Sequence, residues 1–168
     1  MQAALTVAAE SAVREAEEAG SGVRRVPANN FHLTLAFLGA VPLSRVPLVE
    51  EVASQCARSS GRPEAPIGIV LDGVEHWREP QVLVATSRET PASAVAFAEM
   101  LKRSLVAHGF SPDLKPFRVH ATVARKVRRV TRELHIEPVR WSFDYLHLIE
   151  SRSGTYSVVR KWALDKRD

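Results

Sequence analysis

The sequence predicts an α+β fold with mainly antiparallel sheets. Three observations carry that expectation. Three runs with helical apolar spacing alternate with β-branched runs, two pairs of the β-branched runs are joined by short turn-bearing links of hairpin length, and no low-complexity segment interrupts them.

In chain order, residues 3–19 place Leu5, Ala9, Ala12, Val13 and Ala16 at three- and four-residue spacing, and Gly20 ends that helix. GSGVRRVPANN (20–30) reads as a turn-rich connector, and Phe31–Leu38 as a strand closed by Gly39. Pro47 opens a second helix with Leu48, Val52 and Cys56, or Ala53, on one side, and SSGRPEAP (59–66) is its exit. IGIVLDGVEHW (67–77) and PQVLVATS (80–87), linked at Arg78 and Glu79, read as a hairpin. The third helix spans 91–108: Pro91 starts it, Ala94, Phe97, Leu101 and Leu105 line its buried face, and Gly109 stops it. A strand over Phe117–Arg125 follows, then the basic link RKVRRVTR (125–132). WSFDYLHLIES (141–151) and TYSVVRKWAL (155–164) form a second hairpin turned near Ser153 and Gly154.

Composition sets the outer limits. A chain of 168 residues with 45% hydrophobic and 25% charged residues suits a soluble protein with one sizeable core or two small lobes. It contains no apolar run of membrane-spanning length, and its acidic first twenty residues lack the basic region of a signal peptide. The single cysteine, Cys56, fits a reducing compartment, so a cytoplasmic location is expected. A net charge of +4 suits a polyanionic partner such as RNA, although many basic proteins bind none.

The chemistry concentrates in two phrases, FHLTLAFLG (31–39) and FRVHATVAR (117–125). Residues two apart share a strand face, so His32 and Thr34 oppose Phe31, Leu33 and Leu35, while His120 and Thr122 oppose Val119, Ala121 and Val123. A single H-x-T in an apolar strand is more often a structural histidine than a catalytic one. The pair is harder to dismiss. With six histidines and seven threonines, about 0.25 matches are expected by chance, and two arise in about one such sequence in forty. Two imidazoles suit in-line displacement at phosphorus, one neutral to take a proton and one charged to give one. Threonine hydroxyls can donate to the non-bridging oxygens as charge builds, and no metal or other cofactor is required.

HLTL (32–35) and HATV (120–123) resemble the paired H-x-T-x motifs of the 2H phosphoesterase superfamily. The flanks RRVPANNFHLTLAFLGAVP, GFSPDLKPFRVHATVAR and LIESRSGTYSVVRKWAL are similar to its RNA 2′,3′-cyclic phosphodiesterase branch, historically called 2′-5′ RNA ligase, so the likeness covers 23–164. It implies a single domain over 1–168, built as two pseudo-symmetric lobes of antiparallel sheet with outer helices and an active cleft between them. It also implies opening of a terminal 2′,3′-cyclic phosphate of RNA to a 2′-phosphate. His32 would protonate the departing O3′, His120 would activate water, and Thr34, Thr122 and Arg125 would hold the phosphate. Phe37 would stack on a base. The implied partner is RNA with a cyclic phosphate end, tRNA fragments among the candidates, bound by a monomer away from any membrane.

Arg125 and Phe37 each lie five residues past their histidine, which puts them on the wrong face of an uninterrupted strand. A bulge, twist or early end would correct that. Chains of this type also begin with a short apolar strand, so ALTVAA (4–9) is either that strand, shortened, or its absence, which would leave a sheet edge open. His76, His108, His135 and His147 lack a paired threonine and read as structural or surface groups. Asp72 and Glu75 read as solvent-facing, Trp77, Trp141 and Trp162 as core, and Lys126, Arg128 and Arg129 as an RNA backbone track or a solvated loop. Two other readings keep their place. The same site could act on another cyclic phosphate or join 2′-5′ linkages, or the chain could be an RNA-binding module without turnover.

Overall fold

The computed structural model describes residues 2–59, 67–152 and 155–164. The elements are α1 (Gln2–Ala19), β1 (Arg24–Arg25), α2 (Val46–Arg58), β2 (Ile67–Leu71), β3 (Gly73–Trp77), β4 (Val82–Thr86), α3 (Ala92–Ala107), β5 (His120–Arg125), β6 (Val139–Phe143), β7 (Tyr145–Arg152) and β8 (Thr155–Ala163). Three sheets run in the orders β1-β5-β4-β3, β2-β6 and β7-β8. Every pairing whose register is resolved is antiparallel, as the α+β reading requires. The chain groups into two compact units.

The first unit comprises Met1–Thr34, Ile69–Thr90 and Arg118–Trp141, and both H-x-T motifs lie in it. Its four-stranded sheet packs against α1, whose buried stripe is Leu5, Ala9, Ala12, Val13, Ala16 and Ala19. Four of these six are alanine, which lets the helix lie close to the sheet while Leu5 and Val13 supply apolar bulk. Polar ties hold the same pair together. Arg25 reaches Glu10 at 2.5 Å and Glu17 at 2.8 Å, and Arg129 Nε donates to the carbonyl of Ala19 at 2.5 Å. The latter bond satisfies one of the carbonyls that a helix C-terminus leaves without an internal partner.

The second unit comprises Leu35–Gly68, Pro91–Phe117 and Ser142–Asp168. Here α2 buries Val49, Val52, Ala53 and Cys56, and α3 buries Ala94, Phe97, Leu101 and Leu105. The two helices pack together, and α2 also packs on the β7-β8 hairpin. Gly109 ends α3 with φ +75°, a conformation that favours glycine. Arg45 closes that end by donating to the carbonyls of His108 at 2.9 Å and Gly109 at 3.1 Å.

Several expectations change. ALTVAA is part of α1, not a strand. The connector 20–30 contains β1, whose two arginines carry no apolar pattern to announce it. Phe31–Leu38 is not a strand: a 3-10 turn over Ala28–Asn30 leads to extended backbone at Phe31, and the chain bends at Leu35 without entering a ladder. The 117–125 strand starts only at His120. IGIVLDGVEHW divides at Asp72 into β2 and β3, which belong to different sheets, and Trp141–Phe143 joins β6 rather than the hairpin. The exit predicted over 59–66 falls, past Ser59, outside the described residues, as does the turn at Ser153 and Gly154.

Candidate active site

The register of the four-stranded sheet decides which side chains meet. Directly opposed residues of antiparallel strands share a face. Gly73, Thr86 and His120 form one row, Glu75, Val84 and Thr122 the next, and Trp77, Val82, Arg125 and Arg24 the third. All ten lie on the face away from Arg25, Ala124, Leu83 and Ala85, the last three of which are fully buried. Arg125 reaches this face because β5 carries a bulge. Leu83 pairs with Ala124 but Val84 pairs with Thr122, so Val123 is an extra residue and restores the parity that the five-residue offset had lost. The carbonyl of Val123 is not stranded by the irregularity, since the N–H of Val26 donates to it at 2.9 Å.

His120 is held from three sides. Its Nδ1 lies 2.8 Å from the carbonyl oxygen of Arg118. A carbonyl only accepts, so Nδ1 carries the hydrogen and Nε2 is left for chemistry. The Trp77 ring leans back along the sheet until its centroid is 4.6 Å from that of His120. Glu75 ties the frame together, accepting from Trp77 Nε1 at 2.9 Å and pairing with the guanidinium of Arg118. Trp77 and Glu75 are thus part of the site, contrary to their reading as core and solvent-facing residues. No sequence signal exposed them, because the cluster is assembled across β3 and β5 and the register is not written in either strand.

His32 repeats the arrangement on a different backbone. Its Nδ1 lies 2.7 Å from the carbonyl oxygen of Asn30, again two residues before the ring. It follows β1 through Val26 and the Ala28–Asn30 turn. Because β1 runs antiparallel to β5, the chain leaving β1 heads toward the His120 end of that strand. Thr34 is exposed, and Thr122 is half-buried beside His120 in the ladder.

A family model described as the 2'-5' RNA ligase superfamily matches residues 5–155. The chain belongs to that superfamily. It is 30% identical over 150 residues to the RNA 2',3'-cyclic phosphodiesterase of Escherichia coli K12, covering 84% of this chain and 80% of that protein. The solved apo form of E. coli LigT shares the fold with a TM-score of 0.73 at 23% identity, covering 98% of this chain and 91% of that one. The E. coli LigT structure complexed with 3'-AMP matches with a TM-score of 0.65 at 25% identity, covering 84% and 80% of the two chains.

In this superfamily member the remaining predicted residues fall elsewhere. Phe37 lies in the second unit, 65% exposed, with its carbonyl accepting from the N–H of Asp113 at 3.1 Å. The basic run is not a continuous track: Arg129 is bound to the end of α1, Arg132 lies 3.7 Å from Glu15, and Lys126 and Arg128 are exposed. His76 bonds to the carbonyl of Val127 at 2.7 Å and His108 to that of Ser104 at 2.7 Å, both structural contacts. Asp72 accepts from the backbone N–H of Arg88 at 2.9 Å. Trp141 is buried as expected. Among the described residues no helix is long and apolar enough to cross a membrane, and no group of three His, Cys, Asp or Glu side chains is placed to hold a metal ion.

Proposed function

We propose that this chain is a metal-independent RNA 2′,3′-cyclic phosphodiesterase, a single two-lobed domain acting as a cytoplasmic monomer on RNA ends, tRNA fragments among them. The observation that carries this reading is the matched pair of histidine locks. In both H-x-T motifs, Nδ1 is tied to the backbone carbonyl two residues earlier, so each ring carries a hydrogen on Nδ1 and has Nε2 as its proton-transfer atom. Family membership and the name of the E. coli relative supply the substrate class.

The reaction then proceeds as follows. His120 Nε2 takes a proton from water as the water oxygen forms its bond to phosphorus. The P–O3′ bond breaks in line, and His32 Nε2–H gives its proton to O3′, leaving a 2′-phosphate. Each histidine ends in the other's starting protonation state, and exchange with solvent resets the pair. The two locks are alike, so the assignment of acid and base rests on the family likeness. Thr34, Thr122 and Arg125 bind the non-bridging oxygens, where charge accumulates. Base stacking by Phe37, whose ring is exposed, rests on the family likeness alone. The contact from Trp77 and the hydrogen bond to Arg118 keep the His120 ring in one orientation, which shortens the search for a productive geometry.

Incubation of the purified protein with RNA ending in a 2′,3′-cyclic phosphate, and chromatography of the product, tests the reading. A 2′-phosphate terminus is expected. A 3′-phosphate product, or binding without turnover, would overturn it, the latter in favour of an RNA-binding module.

A further inference from the structure

Two valines on the histidine face of the four-stranded sheet are closed to solvent. Val84, between Glu75 and Thr122, is fully buried, and Val82, opposite Trp77, is 6% exposed. Neighbours on that face cover them, and the register shows which one covers Val84. Trp77 stands on β3 in the row of Val82, while His120 stands two strands across on β5 and two rows back. The midpoint of that diagonal is Val84. The ring centroids are nevertheless only 4.6 Å apart, and neither side chain spans the diagonal alone, so the two rings meet over the midpoint.

The indole has one hydrogen-bond donor and it is spent, since Nε1 donates to Glu75 at 2.9 Å. Only the ring itself remains to interact. Its inner side takes up the valines of β4. The imidazole meets it aslant, at 48°, and does not lie flat over it. Trp77 is accordingly half-buried above neighbours that are closed. Apart from His120 it is the one aromatic residue among the ladder positions of this face. An aliphatic side chain would suffice as a wall for His120. A fixed, partly open indole is what a flat, uncharged ring needs, because base–aromatic stacking uses the π face alone.

We propose that the open face of Trp77 stacks on the base of the terminal nucleotide, the one that carries the cyclic phosphate. This rests on the proposed phosphodiesterase reading, which puts the reacting phosphorus beside His120 Nε2. The base would then lie over β4, toward β3 from the reacting phosphate. Trp77 serves twice, by orienting the imidazole and by holding the substrate, and the H-x-T motifs specify no such contact.

The test compares a nucleoside 2′,3′-cyclic monophosphate with ribose 2,3-cyclic phosphate, which lacks the base. Wild-type protein should show a KM about tenfold lower for the base-bearing substrate. In Trp77→Leu that advantage should vanish, while kcat falls by the same factor on both substrates because His120 loses its wall. Trp77→Phe should keep part of the advantage, and circular dichroism should show the same fold in each variant. Equal KM changes on the two substrates would confine Trp77 to positioning His120. An advantage lost in Phe37→Ala but kept in Trp77→Leu would assign the base to Phe37. Either result overturns the proposal. Titration with the products, a nucleoside 2′-phosphate and ribose 2-phosphate, separates this idea from its parent and decides the matter if Trp77→Leu does not fold. The nucleotide should quench a part of the tryptophan emission that is missing in Trp77→Phe, and the ribose phosphate should not. If wild-type protein opens neither cyclic substrate, the phosphodiesterase reading fails. The stacking site then stands only if the nucleotide still binds more tightly than the ribose phosphate in a Trp77-dependent manner, and falls if it does not.

Discussion

The indole of Trp77 packs against the imidazole of His120 with ring centroids 4.6 Å apart and planes inclined at 48°. The contact limits the ring's rotation. Glu75 sets it by holding the indole N–H and, through Arg118, the segment whose carbonyl orients His120. Replacing Glu75 by Ala should lower kcat about ten- to a hundredfold with a smaller change in KM. Trp77→Phe should be milder. A loss of folded protein with kcat per folded molecule unchanged would reduce the cluster to a structural role.

His32→Ala and His120→Ala should each lower turnover of a cyclic phosphate by about 10²–10⁴. The double variant should lose less than the product of the two, because both groups act in one displacement. Near wild-type turnover in either single variant would sink the two-histidine mechanism.

The rate should follow a bell-shaped pH profile, since one ring must start neutral and the other protonated. Chelation with EDTA should leave the rate unchanged. Loss of activity with chelator and recovery with a divalent ion would replace this chemistry with metal-assisted hydrolysis.

Gly73 lies in the same row as Thr86 and His120, and a Cβ built on it would come 2.7 Å from Thr86 Oγ1. Thr86 is buried, so it has little room to retreat. Gly73→Ala should therefore cost about 1–3 kcal/mol of stability in urea unfolding. Thr86→Ala combined with it should recover much of that loss, so the two changes should not add. Strict additivity would show that the neighbours do not press on one another.

Hydrogen bonds from Arg25 hold the carboxyls of Glu10 and Glu17 below their ordinary value of 4.5, and the hydroxyl of Thr131 does the same for Glu15. Each carboxylate binds a proton less readily folded than unfolded. The stability they contribute is therefore complete above pH 4.5 and is lost as pH falls through the depressed values. In Arg25→Met the urea midpoint should fall less steeply across that acid window than in wild type. Parallel curves would show that this clamp contributes nothing to the acid limb.

Helices were legible because their buried stripes are continuous in sequence. Leu5 to Ala16 and Ala94 to Leu105 are spaced as a packed helix requires, and proline and glycine mark the ends of α3. The site was half legible. H-x-T appears twice, and chance disfavours that. The apolar run Phe31–Leu38, however, buries only Phe31 and leaves Leu33, Leu35 and Leu38 part-exposed, and no strand forms there. The Trp77–Glu75–Arg118 frame and the Arg24–Arg125 pair depend on register, a property of two strands at once. Nothing in Arg24–Arg25 marks a strand in isolation.

The extra residue at Val123 changes what a motif spacing means. On a regular strand, an arginine four positions after the histidine would share its face. Here the arginine five positions after does so, because one residue is taken up by the bulge. A chain with a one-residue gap at this point could keep the same three side chains in line by being flat where this one is kinked. Alignments that reward the five-residue spacing would then score two equivalent sites as different, and the backbone register would be the safer criterion for grouping them.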